Sequence, residues 1–334
     1  MNEHDRILAV VDATLKHPEP TPPPLDSKAV EETIAFLSSD AARARVNADP
    51  YWPKWDSPWW RIAAMEEAGL AAHVPPAAVQ MLAEAANAKY LHHFPLRAEE
   101  VPPGTDGTRD ILCHCAAGTL DRVFRSCGVE IDRVMPWLRS WYLRYALPDG
   151  GWNCDEAAYT RPVPRSSFLS TLPMLEALLE RPELSGEEGG VLDRGARYLL
   201  ERRLCRSLSR DAVADPDWLK VTFPRFYDYD VLRGLTFMVR WARRRGAKLP
   251  ASALVEVVEL LAQAAGPDGT LTPARRGWDG AKTLERDASG AWTRGHPAHH
   301  FPLLEDAGRT DRPSAALTRS WRGTLEALRP VLGA

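Results

Sequence analysis

The densest cluster of metal-ligating residue types in this 334-residue chain is Cys113-His114-Cys115, and Cys154 follows in the stretch LPDGGWNCDEAAY, residues 147–159. Thiolate and neutral imidazole are good zinc ligands. Consecutive residues of a helix point about 100° apart, so at most two of the three can face one ion unless they occupy a frayed first turn. A zinc site would then combine Cys154, His114 and Cys113 or Cys115 with a carboxylate. Alternatively the cysteines are small buried core residues, where free cysteine usually goes. In a third arrangement one of them is a nucleophile and His114 its base.

Carboxylates supply a different chemistry. Asp228 and Asp230 lie two apart, diverging on a helix but sharing one face in an extended segment. A carboxylic acid kept protonated by burial donates a proton to an alkene or carbonyl; the plainer alternative is an N-cap aspartate with a chance neighbour. Asp155, beside Cys154, is a further acid candidate. Trp52, Trp55, Trp59 and Trp60 form a dense aromatic patch, either a cation-stabilising surface or a packed loop. Trp59, Trp60, Arg61, Arg165, Tyr227, Arg233, Trp321 and Arg322 are the candidate substrate-binding residues, the arginines suiting an anionic group. His296, His299 and His300 are a second metal candidate or simply solvated loop residues.

Such scattered side chains meet only if the chain folds back repeatedly. Hydrophobic residues make up 45% and charged residues 26%, as in ordinary globular proteins with a sizeable core. The net charge of −3 argues against a general nucleic-acid binder. No stretch approaches the length of a membrane span, and Met1 to Leu15 has no secretory pattern. Five cysteines, an odd number, do not suggest a disulfide framework, so a reducing cytoplasm is expected. The expected partner is a small-molecule substrate, with zinc as the candidate cofactor and no nucleotide cofactor.

Helix patterns are predicted over 4–16, 27–38, 57–70, 76–93, 111–127, 130–146, 166–181, 187–204, 228–245, 250–265 and 314–331, with no convincing alternating strand. The proline-rich HPEPTPPP, 17–24, is expected to link an N-terminal helix to a single domain over 27–334. Two helix types alternate, one with a broad polar face, the other richer in small and apolar residues. The second type starts near 57, 111, 166, 228 and 314, the early intervals being about 55 residues. Alternation of this kind means stacked helical hairpins. The expected fold is all-α: an α/α toroid, a closed double ring of about five to six hairpins, with segments 94–109 and 266–312 as capping loops. The second-type helices would then gather their N-terminal ends, and the candidate residues, at one mouth. PDG recurs at 148–150 and 267–269, where glycine ends a helix.

LRYALPDGGWNCDEAAY followed by SSFLSTLPMLEALLE resembles the prenyltransferase and squalene-cyclase repeat superfamily, in which a Q-x-x-D-G-G-W turn joins an outer to an inner helix of an α/α toroid. The glutamine is missing here. DPYWPKWDSPWWR (49–61) and FPRFYDYDVLRGL (223–235) also resemble small bacterial members, and the resemblance spans roughly 45–245. It implies an enzyme acting on an apolar or isoprenoid-like substrate, by cyclisation or prenyl-type transfer. The motifs depart from the family. Asp228-Tyr229-Asp230-Val231 is one acid short of the Asp-x-Asp-Asp of class II terpene cyclases, and no Asp-Asp-x-x-Asp occurs. Protein prenyltransferases bind zinc through Asp, Cys and His, of which Cys154 with Asp149 or Asp155 offers two. A zinc–thiolate lyase or transferase on a small anionic metabolite, and a non-catalytic helical-repeat binding module, are the alternatives.

Overall fold

Small and apolar faces decide which helices go inside. A computed structural model describes residues 1–210 and 212–333. Its helices, in chain order, are α1 Glu3–Leu15, α2 Ser27–Leu37, α3 Asp40–Ala48, α4 Pro58–Glu67, α5 Pro76–Lys89, α6 His114–Ser126, α7 Ile131–Val134, α8 Leu138–Arg144, α9 Ala157–Thr160, α10 Phe168–Glu180, α11 Gly186–Glu201, α12 Val231–Arg245, α13 Ala251–Ala264, α14 Pro302–Ala307 and α15 Ala315–Leu328. Helices α4, α6, α10, α12 and α15 form an inner row in which each packs on the next. Helices α5, α8, α11, α13 and α1 lie outside it, and Ile7 and Val11 of α1 are fully buried where it packs on α13 and α15. At the α4 end, α2 and α14 pack on α4, and a groove of about 550 Å³ lies between α2, the end of α4 and the start of α15.

The fold is mainly helical, as expected, but α3, α9 and α14 lie outside the expected helices, and two further departures bear on the site. The expected helix over 130–146 is two pieces: Met135 leaves helical geometry (φ −126°, ψ 66°) just before Pro136, which has no N–H to continue the ladder. Two short antiparallel pairs also occur, β1 Arg206–Ser207 with β2 Ala212–Val213, and β3 Lys282–Arg286 with β4 Trp292–Pro297.

The recurring PDG turn marks a repeat in atomic detail. The Trp152 amide donates to Thr171 Oγ1 (3.0 Å), and the Ser167 amide donates to the Trp152 carbonyl (2.9 Å). The Leu271 amide likewise donates to Thr318 Oγ1 (3.0 Å), and the Ser314 amide to the Leu271 carbonyl (2.8 Å). Ser167 and Ser314 cap α10 and α15. The second copy has β3, β4 and α14 inserted between turn and helix.

Where α4, α6, α10 and α12 meet, the space is filled with paired charges. Arg233 donates to both carboxylate oxygens of Glu176 (2.9 and 2.6 Å), and Arg122 pairs with Glu66. Glu67 accepts the amides of Arg225 and Phe226 (2.8 and 2.5 Å). Buried charges persist only when paired and hydrogen-bonded in this way. The open cleft therefore lies to one side of these helices, at their N-terminal ends.

Candidate functional site

The cleft has a volume of about 570 Å³ and runs between residues 51–54, 90–116 and 154–156. Three thiols meet in its wall. The Sγ atoms of Cys113, Cys115 and Cys154 all lie within 4.8 Å of one another, and those of Cys113 and Cys115 are 3.1 Å apart. Cys113 is the N-cap residue of α6, in extended geometry (φ −79°, ψ 158°). The Cys115 amide, one of the free N–H groups of the first turn, points at Cys154 Sγ (3.4 Å). Cys154 is brought in by the glycine turn. Gly150 takes a left-handed φ of +100°, and a Cβ there would lie 2.4 Å from the Arg194 carbonyl oxygen, so only glycine fits. The Cys154 amide then donates to Ser170 Oγ of α10 (2.9 Å).

Charge is shared unevenly over the three sulfurs. Hydrogen bonds from the Cys113 and Cys115 thiols, with Ser170 nearby, hold Cys154 well below the ordinary thiol range. Cys115 is pushed well up by its hydrogen bonds to Cys113 and Cys154 and by burial. For Cys113 the bond to Cys115 acts downward, but the bond to Cys154 and burial prevail and push it up to about 12. Cys154 is thus the sulfur of the three disposed to be a thiolate, beside a helix N-terminus, which favours negative charge.

His114 does not belong to this cluster, which corrects its place among the zinc ligands and as a base. Its side chain points into the core. Trp141 Nε1–H donates to its Nδ1 (2.7 Å), and its Nε2 meets Tyr159 Oη (2.8 Å), which donates on to the Tyr145 carbonyl (3.1 Å). An indole only donates, so Nδ1 is the acceptor and a neutral Nε2–H tautomer follows. Burial depresses its pKa to about 4. With both nitrogens taken, His114 positions Tyr159 and α8 behind the cluster. His114→Gln should therefore lower stability by about 1–3 kcal/mol while leaving bound metal per chain unchanged; thermal melting with elemental analysis checks both.

The carboxylate candidates are also tied down. Asp230 caps α12 through the Arg233 amide (2.8 Å), and its other oxygen accepts from the Thr222 amide and Arg225 Nε (3.2 and 2.7 Å). Asp228 accepts from Arg275 (2.7 Å) and the Tyr229 amide (2.9 Å). Neither presents an oxygen to the cleft, so the N-cap alternative describes Asp230. Asp230→Ala should cost about 2 kcal/mol or more, as a lost cap and an orphaned Arg225, measurable by urea unfolding. Asp155 is exposed and faces Arg161 (3.6 Å).

The arginines expected at one rim are dispersed. Arg61 is buried on Asp56 (2.5 Å) between the rings of Phe36 and Phe301, and Arg233 is committed to Glu176. Arg165 is exposed beside a different cleft, and Arg322 binds the His17 carbonyl (3.0 Å). Trp59, Trp60 and Trp321 are buried packing residues. His296, His299 and His300 each find a separate partner in Thr293, Glu285 and Glu305. Tyr227 is the one substrate-binding candidate beside the cysteines.

Nothing in the residue pattern singles out Lys54, which the fold brings to the cleft. Its ammonium donates to Tyr227 Oη (2.8 Å) and lies 5.1–5.9 Å from the ring centres of Tyr51, Trp52, Trp55, Trp60 and Tyr227. The aromatic patch thus surrounds a cation, and that cation belongs to the chain itself. Burial lowers the Lys54 pKa, opposed by the nearby Cys115 and Cys113 sulfurs. The backbone fixes it. Asp49 accepts the amides of Tyr51 and Trp52 (3.0 Å each), and the Lys54 amide donates to Thr283 Oγ1 of β3 (2.7 Å).

No helix among the described residues is long and apolar enough to cross a membrane. No family model matches the chain, and no curated protein matches it. Two solved structures match over 99% of both chains, each a variant of the type II terpene cyclase MstE from Scytonema. One, in complex with merosterolic acid A, is 13% identical with a TM-score of 0.28; the other, with geranylgeranyl dihydroxybenzoate, is 12% identical with a TM-score of 0.27. Superpositions this loose transfer no residue and no reaction to this chain.

Proposed function

We propose that the chain is an enzyme whose reactive centre is a zinc ion held by Cys113, Cys115 and Cys154, acting by group transfer on an apolar or isoprenoid-like small molecule in the adjoining cleft. The carrying observation is the convergence of three sulfurs, one already disposed to be a thiolate, with no fourth His, Asp or Glu ligand in the group among the described residues. Structural zinc sites close with four protein ligands, whereas catalytic sites keep three and leave one position for water or substrate. The donor set therefore fits a catalytic ion. Bound there, zinc would supply a Lewis acid and lower the pKa of a coordinated thiol or water.

The chain's own residues do the rest. Tyr90, Phe94, Ile111 and Leu112 give the cleft apolar walls suited to an isoprenoid-like body. The 94–112 segment covers it and is tied down by Arg109, which faces Asp49 (3.7 Å) and lies over the Trp292 ring, and by Arg294 on Thr108. Ser170 and the Cys115 amide hold Cys154 in its anionic form. A start by an aspartic acid draws no support from the geometry, because Asp228 and Asp230 are already bound by Arg275 and Arg225.

The test begins with protein purified without chelator, where elemental analysis should find about one zinc per chain. In the cobalt-substituted protein, the visible spectrum should shift when an exogenous thiol such as 2-mercaptoethanol is added, as an open coordination position requires. A spectrum indifferent to added thiol would mean a closed structural site and end the catalytic assignment.

A further inference from the structure

An ammonium half-buried among aromatic rings favours an anion or several acceptors. Lys54 has one hydrogen-bond acceptor among the described residues, the Tyr227 hydroxyl, and no carboxylate pairs with it. Two of its three N–H bonds are therefore uncommitted to protein. Five aromatic rings surround it without supplying a formal charge. Cation–π attraction offsets only part of what burial costs an ammonium. Lys54 lines the same cleft as Cys113 and Cys154. Besides the Cys154 sulfur, the other charged side chains of that lining are Arg97 and Glu156, both exposed at the rim. A cation whose backbone is fixed by Asp49 and β3, with no carboxylate paired to it and only the sulfur cluster as nearby negative charge, is placed to receive an anion from outside.

We infer that Lys54 is the anion-binding residue of the cleft, and that the molecule taken there carries a carboxylate or phosphate group lodged between Lys54 and the cysteine cluster. This rests on the cleft being the substrate site, but not on a metal. Tyr227 is the positioning residue. Its hydroxyl takes one ammonium N–H and so aims the other two, while its ring closes one side of the aromatic box. The substrate class narrows accordingly to an apolar body with one oxyanionic end.

The experiment titrates chelator-treated protein with inorganic phosphate in one arm and hexanoate in the other, by calorimetry, for the wild type, Lys54→Met, Lys54→Arg and Cys154→Ala. One of the two anions should bind saturably to the wild type and about tenfold more weakly to Lys54→Met, the loss of one charge-assisted hydrogen bond. Which anion does so identifies the group. Lys54→Arg should retain it, and Cys154→Ala, which removes a neighbouring negative charge, should bind it at least as tightly, which separates anion binding from the fate of the zinc site. Should Lys54→Met not fold, acetylation of wild-type lysines followed by mass spectrometry gives the same answer. The saturating anion should slow acetylation of Lys54 about tenfold and leave exposed Lys28 unaffected. No saturable binding of either anion, equal binding by wild type and Lys54→Met, or unchanged acetylation of Lys54 would overturn the assignment.

Discussion

Cys154→Ala is expected to empty the metal site, taking zinc per chain from about one to near zero after dialysis against a weak chelator. Structural zinc sites share roughly 10–16 kcal/mol among four ligands, about 2.5–4 kcal/mol each, so losing one of three thiolates should weaken affinity about a hundredfold or more. Cys154 is the right residue to remove because it carries the negative charge of the cluster and joins two elements, the glycine turn and the start of α6. Cys113→Ala and Cys115→Ala should act in the same direction. Cys127→Ala and Cys205→Ala are the controls, since Cys127 sits at the far end of α6 and Cys205 is buried alone after α11. In cobalt-loaded protein the sulfur-to-metal charge-transfer band should fall with each of the three substitutions and with neither control. Undiminished zinc in Cys154→Ala would remove the three-thiol site, and the proposed function with it.

The inner helices were legible because their signal is strong and local. Ser167 and Ser314 each precede a helix whose N-cap they form, and the PDG turns before them punctuate the repeat. Helix α3 was not legible, because DAARARVNA buries only Ala42 and Val46 and so lacks a full apolar stripe. The β3–β4 hairpin escaped for a related reason: a register shift between Thr283 and Leu284 puts two successive residues inside and breaks the alternation that announces a strand. At the site, Cys113, His114, Cys115 and Cys154 were legible as candidates but not as directions. Helical geometry spreads Cys113, His114 and Cys115 around an axis, yet Cys113 is still extended, so it and Cys115 share a side and His114 takes the other. The arginines misled because charge alone does not show its partner; Asp56 and Glu176, distant or unremarkable in the sequence, absorb Arg61 and Arg233. Lys54 was missed because a lone lysine among prolines and tryptophans looks like a solvated loop residue until its burial is seen.

Gly118→Val should damage fold and site together, and it tests how the three thiols are brought to one point. Gly118 lies on α6 where that helix crosses α10. A Cβ at this position would sit 2.4 Å from the Pro173 carbonyl carbon and 2.5 Å from both the Pro173 oxygen and the Met174 nitrogen. All three are backbone atoms of α10, so no side chain can swing aside and the two helices must part. Overpacking of a close core contact costs about 1–3 kcal/mol when side chains can adjust; against rigid backbone the cost should reach at least that upper value, seen as a lower midpoint in urea. Separation of α6 from α10 also acts on chemistry. Cys113 and Cys115 ride on the start of α6, whereas Cys154 is held by Ser170 of α10. A shift of even half an ångström exceeds the roughly 0.2 Å tolerance of metal–ligand distances. Zinc affinity in the folded variant should therefore fall about tenfold or more, although no ligand has been changed. Gly323→Ala, where an added Cβ meets no atom within 4 Å, is the matched control on α15 and should leave both quantities near wild type. Wild-type zinc affinity in a folded Gly118→Val protein would show that the α6–α10 contact does not set the geometry of the thiols.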